Sequence, residues 1–105
     1  EGVWFVEENA SFQGGDINTF NTWVKENVTY PVEASEAEVF GKVIVQFSVN
    51  REGVVCDVKV IKNVHPSLDN EAIRVVKKSP KWTPAKQSGV PVKQNFVLPI
   101  SFTLQ

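Results

Sequence analysis

The side chains able to do chemistry are few in this chain, and none has the company a reaction needs. The one histidine, His65, stands directly before Pro66, with no second histidine, no cysteine pair and no carboxylate at metal-ligand spacing beside it. That pattern describes a solvated loop imidazole. The one cysteine, Cys56, cannot close an intrachain disulfide; it shares a strand face with Val58 and Val60, which predicts a buried, inert thiol. Nucleophilic catalysis would require a base and an orienting acid next to it, and His65 is distant in sequence. Glu33, Glu36 and Glu38 cluster, but nothing apolar surrounds them to raise a pKa, so they read as the wet side of a helical turn. Gly14-Gly15 precedes a helix without the further glycines, the lysine or the flanking parallel-sheet unit of a phosphate cradle. The residues thus point to a protein without an active site, cofactor or metal.

With 105 residues, 42% of them hydrophobic, the chain is long enough for one domain with its own core. Three tryptophans and seven phenylalanines supply large side chains for that core. A net charge of −1, with acids and bases interspersed, leaves no basic footprint for nucleic acid and no polybasic segment for a membrane surface. No apolar run approaches the roughly 20 residues of a membrane-spanning helix, and no signal-peptide pattern opens the chain. If the chain is a fragment, targeting information lies upstream. The lone cysteine leaves the redox compartment undecided.

The elements that would position any site follow from periodicity. "VWFVEE" is a short strand-like run, punctuated by Phe12-Gln13-Gly14-Gly15. Asp16 caps a helix with Ile17, Phe20, Trp23 and Val24 at helical spacing and Asn27 at its end, and Tyr30-Pro31 blocks continuation. "EASEAEVFG" suits one or two loose helical turns closed by Gly41. "KVIVQFSVN" puts Val43, Val45, Phe47 and Val49 on one face and Lys42, Gln46 and Ser48 on the other, with Ile44 the exception. A turn over residues 50–53 returns the chain as a second strand, with Cys56, Val58 and Val60 inward and Asp57 and Lys59 outward. Pro66 and Ser67 open a second helix with Leu68, Ala72, Val75 and Val76 as its buried stripe. Asp69 and Glu71 at its start and Lys77 and Lys78 at its end suit the helix dipole. Ser79-Pro80 stops it, and "KWTPAKQSGVPV" reads as a breaker-rich loop anchored by Trp82. The expectation is an α+β fold: a small antiparallel three-stranded sheet with two helices packed on one face, residues 16–105 forming the core and residues 1–15 a short N-terminal extension.

The last run, "QNFVLPISFTLQ", carries the one feature that suggests a use. Phe96, Leu98, Ile100, Phe102 and Leu104 alternate with Val97, Ser101 and Thr103, as in a half-buried strand, yet Pro99 sits in the middle. A proline has no N–H for a ladder and is confined to edges, first positions or bulges. An edge strand exposes backbone groups that a sheet must either guard or use to recruit a partner strand. The residues by themselves leave both options open.

"YPVEA", the stretch from "GKVIVQFSVNREGVVCDVKVIK" through "SPKWTPAKQSGVPV", and the closing "FVLPISFTLQ" resemble the C-terminal domain family of TonB, in the form common in Bacteroidetes. The leading "FVEENASFQGGDINTFNTWVKENVTYP" is similar to that group's N-terminal extension. Tyr30-Pro31, Gly41, Gly53 and Ser79-Pro80-Lys81-Trp82 with Pro84 stand in the family's order; departures at Asn9-Ala10, Gln13 and Ala85 affect loops only. The resemblance implies a periplasmic energy-transducing adaptor, tethered to the inner membrane by an N-terminal anchor outside this chain and worked by an ExbB/ExbD motor. It implies that the TonB box of outer-membrane receptors pairs with the final strand, here Phe96, Val97, Leu98, Pro99, Ile100, Ser101, Phe102 and Thr103, to drive substrate import. An alternative is a TonB-like interaction module at the C-terminus of a larger membrane sensor or peptidase-like protein. A further reading is a structural domain whose edge Pro99 merely guards. An open edge also admits a strand-exchanged homodimer. Trp82 and Tyr30 are read as packing residues.

Overall fold

The structure, a computed structural model, describes residues 2–103, so Leu104 in the expected alternation lies outside the described residues. The elements in chain order are α1 (Ile17–Asn27), α2 (Val32–Glu36), β1 (Gly41–Val49), β2 (Val55–Lys62), α3 (Pro66–Lys77), β3 (Ala85–Gln87), β4 (Val90–Val92) and β5 (Gln94–Phe102). β1 is the centre of an antiparallel sheet in the order β2-β1-β5, and β3 pairs with β4 as a separate two-stranded ribbon. The architecture is the expected α+β fold.

Local chemistry sets the helix ends. The Asp16 carboxylate accepts from the Asn18 N–H at 2.9 Å and caps α1, while Asn27 Nδ2 donates to the Trp23 carbonyl at 2.7 Å at the other end. α2 is a single turn after Pro31; it is closed by Ala37 and by Glu38 in a left-handed conformation (φ 57°), whereas Gly41 begins β1 instead of ending the helix. α3 buries Leu68, Ala72, Val75 and Val76, the stripe its spacing predicts. Asp69 is buried as well, its carboxylate accepting from Asn63 Nδ2 and from the Val64 N–H, which fastens the chain that leads into the helix.

Val43, Val45, Phe47 and Val49 of β1 are fully buried, and Leu98, Ile100 and Phe102 of β5 nearly so. These faces meet Phe20 and Val24 of α1, the α3 stripe, and Ala10 and Phe12 from the segment before α1. Trp82 lies at the middle of an aromatic cluster, 5.0 Å from Phe20, 5.4 Å from Phe12, 5.9 Å from Phe47 and 5.2 Å from Phe96, centroid to centroid. Its indole N–H donates to Ser79 Oγ at 3.0 Å. The Tyr30 hydroxyl donates to the Val39 carbonyl, and its ring meets Phe102 edge-on. Both residues pack, as expected.

Four further expectations are corrected. "VWFVEE" forms no strand: Val3, Glu8 and Ser11 make single bridges to Gln94, Lys86 and Thr83, because the segment crosses from β5 to β3 and then to the tryptophan loop without staying on any of them. The loop after Trp82 contains the β3–β4 ribbon, turned at Ser88 and Gly89, where breakers mark a tight turn between two strands. Cys56 does not share a face with Val58 and Val60. The β1–β2 register shifts between Gln46 and Ser48, Asp57 takes a left-handed φ of 53°, and this bulge puts Cys56 opposite Ser48 on the outer face. Ser48, expected wet, is buried there and donates to Asn95 Oδ1 at 2.6 Å.

Two glycines of similar φ separate strain from space. Gly53 (φ 82°) ends the β1–β2 turn against the tryptophan loop, accepting from the Trp82 N–H at 2.8 Å, and a Cβ there would sit 2.0 Å from the Trp82 carbonyl oxygen. Gly89 (φ 77°) has nothing within 4 Å of the same atom. Gly89→Ala is expected to cost about 1–2 kcal/mol through backbone strain alone, and Gly53→Ala clearly more, in urea unfolding.

Glu71 joins the α1–α2 connection to α3: it accepts from the Thr29 N–H and from Arg74 Nε, each at 2.6 Å. Burial pushes its pKa up, but the Arg74 and Thr29 hydrogen bonds and the Arg74 charge together outweigh this and hold it below the ordinary glutamate value. A carboxyl that titrates lower folded than unfolded contributes in full above its unfolded pKa of about 4.3, and the contribution fades as pH falls through the folded value. Glu71→Gln should therefore lower stability at pH 7 by about 1 kcal/mol or less, since Arg74 is well solvated, and melting temperatures should converge with the parent's in strong acid.

Candidate functional site

The side chains able to do chemistry are spread over separate elements. His65 is not a solvated loop residue: it is the N-cap of α3, its Nδ1 accepting from the Ser67 N–H at 3.2 Å, and the imidazole is half-buried. The Cys56 thiol is only half-buried, but that burial and the neighbouring Asp57 carboxylate push its pKa up, so it stays a protonated, weak nucleophile. Asp57 is held below the usual carboxylate range by its hydrogen bond and ion pair with Lys93. Glu33, Glu36 and Glu38 stand in solvent on and just after α2. Gly14 and Gly15 close a tight turn in which Phe12 and Gly15 exchange backbone hydrogen bonds of 2.8 and 2.9 Å. Among the described residues, no group of three or more His, Cys, Asp or Glu side chains is arranged to hold a metal ion.

What remains is backbone. β5 pairs with β1 through nine consecutive residue pairs without a register shift, from Val49–Gln94 to Gly41–Phe102, and its other side has no strand neighbour in the sheet. The Lys93 carbonyl and the Asn95 N–H point to that outer side, where both bond to Val3. Backbone direction alternates along a strand, so Val97, Pro99 and Ser101 aim their groups outward, while Phe96, Leu98, Ile100 and Phe102 aim theirs at β1. The open edge thus offers two N–H donors, at Val97 and Ser101, and three carbonyl acceptors, at Val97, Pro99 and Ser101. Pro99 fits without loss to the sheet because the N–H it lacks would have faced outward. Thr103, expected within the strand, lies one residue past its end.

The two edges of the sheet are not equivalent. The β1–β2 ladder shifts register twice, and β2 carries exposed Asp57, Lys59 and Lys62. Bulges and edge charges of this kind deter strand addition. β5 is straight, and its exposed side chains along residues 97–103 are Val97, Pro99, Ser101 and Thr103, all uncharged.

A family model described as the Gram-negative bacterial TonB protein C-terminal matches residues 26–104. The chain belongs to the TonB C-terminal family. Protein TonB from two strains of Helicobacter pylori is 28% identical over an alignment that covers 95% of this chain. The chain spans only about a third of those relatives, 35% and 36% of their lengths. Two solution structures of the Helicobacter pylori TonB C-terminal domain superpose with TM-scores of 0.69 and 0.65, at 24% and 26% identity, each over 85% of this chain and over 80% and 94% of theirs. No helix among the described residues is long and apolar enough to cross a membrane.

The element that sequence reasoning missed is Gln94. It is buried at the start of β5, where its Oε1 accepts from the Ala10 N–H at 2.8 Å and its Nε2 donates to Asn9 Oδ1 at 2.9 Å. A glutamine two residues before the first apolar residue of the alternation reads as a loop residue, and nothing local marks it as a clamp.

Because its nitrogen faces away from β1, Pro99→Ala should change unfolding free energy by less than about 1 kcal/mol. The new outward N–H should raise concentration-dependent self-association in sedimentation velocity. A loss of several kcal/mol would place the Pro99 nitrogen on the β1 side instead.

Proposed function

We propose that this chain is the receptor-contacting domain of a periplasmic energy-transducing protein, and that it takes the TonB box of outer-membrane receptors as an added strand on the open edge of β5. The observation that carries this reading is the straight edge at residues 97–103, unpaired among the described residues, in a family of transport adaptors. An N-terminal anchor in the inner membrane and an ExbB/ExbD motor would supply the force, and substrate import by the receptor would be the outcome.

The magnitudes suit a reversible handle. Five main-chain hydrogen bonds at about 0.5–1.5 kcal/mol net each give several kcal/mol before association costs, hence an affinity of about micromolar or weaker. Main-chain pairing is nearly blind to sequence, so one domain can serve several receptors, with the outward side chains of Val97, Ser101 and Thr103 tuning preference.

The test is a titration of the isotope-labelled domain with synthetic TonB-box peptides, read by amide chemical shifts. Fast-exchange shifts concentrated at residues 97–103 are expected. Ser101→Pro, which removes one of the two outward donors, should weaken binding about tenfold. Absence of any shift at millimolar peptide would sink the reading.

A further inference from the structure

The open edge does not begin where β5 begins. The Val3 N–H donates to the Lys93 carbonyl at 3.0 Å, and the Asn95 N–H donates to the Val3 carbonyl at 2.7 Å. Val3 is therefore a one-residue parallel strand on the same side of β5 that a partner would use. It takes up the Lys93 carbonyl and the Asn95 N–H, the outward donor nearest to Val97.

This contact is built. Gln94, 3% exposed, grips the extension from beneath: its Oε1 holds Ala10, and its Nε2 holds Asn9 and reaches the Trp4 carbonyl at 3.4 Å. Glu8 and Lys86 exchange backbone bonds of 3.1 and 2.9 Å, which fixes the far end of the extension to β3. Gly2 approaches so closely that a Cβ on it would lie 2.2 Å from Asn95 Oδ1. After Val3 the extension leaves the edge, and Trp4 and Phe5 stand 45% and 94% exposed.

We propose that residues 2–4 are an end stop for the docking edge: they pair with Lys93 and Asn95 in place of a partner, confine a bound strand to residues 97–103, and are held there by Gln94 as a positioning residue. The inference rests on the docking reading above. Val3 is delivered by its own chain at high effective concentration and loses no translational freedom on pairing. A free peptide that offers the same two hydrogen bonds does not displace it. The stop thus sets the register: a partner strand must end or turn away at Phe96, with its carbonyl opposite Pro99 left to water.

The test compares the parent chain with Val3→Pro, which removes the Val3 donor at an exposed position without touching the core, and with a variant lacking residues 1–5. In the parent, the Asn95 amide should exchange with solvent at least tenfold more slowly than the Val97 and Ser101 amides, and a synthetic TonB-box peptide should shift residues 97–103 only. Loss of residues 1–5 should drop Asn95 protection to the level of Val97; Val3→Pro keeps the carbonyl that Asn95 donates to and should lower it less, and in both variants the peptide footprint should spread to Lys93 and Asn95. Equal exchange at Asn95 and Val97 in the parent, a parent footprint that reaches Lys93, or an identical footprint in the variants would overturn the end stop. A peptide that shifts no amide in any of the three chains overturns the docking reading; the Asn95 exchange rates then decide by themselves whether Val3 closes the edge.

Discussion

The contact on which the rest of this domain depends is the stacking of Phe47 in the aromatic cluster. Phe47 lies on the central strand, 5.4 Å from Phe20 of α1, 5.5 Å from Phe96 of β5 and 5.9 Å from Trp82 in the loop before β3. Phe12 joins through Phe20 and Trp82. One cluster thereby fastens the extension, a helix, the tryptophan loop and an edge strand to β1, segments far apart in the chain. Rings of this size bury much apolar area and prefer offset-stacked, tilted and edge-on geometries, all three of which occur here.

Packing everything against one face decides what the other parts of the sheet can do. The helices cover the side that holds Val43, Val45, Phe47 and Val49, so the edges are left to other devices. At β2 the device is irregularity, with two register shifts and a run of exposed charge. At β5 the edge stays regular, with Val3 over its first residues and Pro99 in its middle. The same strand supplies apolar side chains to the core and peptide groups to solvent, because side-chain and backbone directions alternate together.

What could be read from the sequence was whatever repeats with a period. The α1 and α3 stripes, the inward face of β1 and the alternation of β5 all rest on spacing, and each holds among the described residues. What escaped was set by single residues acting across the chain. Asp57 in a left-handed conformation turns Cys56 to the other face, an event that alternation cannot announce. His65 caps a helix through its ring nitrogen, a role more often filled by Ser, Thr, Asp or Asn. Gln94 holds Ala10 from 84 positions away, and no local signal reports a partner at that distance. The open edge of β5 was legible for the opposite reason: a proline inside a strand violates a local rule, and the violation has few structural solutions.

The outward face of β5 is composed of peptide groups at Val97, Pro99 and Ser101, and this bears on how such a surface survives drift. A pocket lined by side chains is erased by substituting its lining. A row of peptide N–H and C=O groups passes unchanged through nearly every substitution, because all residues but proline carry the same two groups. The edge is accordingly inherited with the fold and not with the residue identities, so chains that have diverged as far as this one and its Helicobacter counterparts can keep the same backbone grammar while their core residues are exchanged around it.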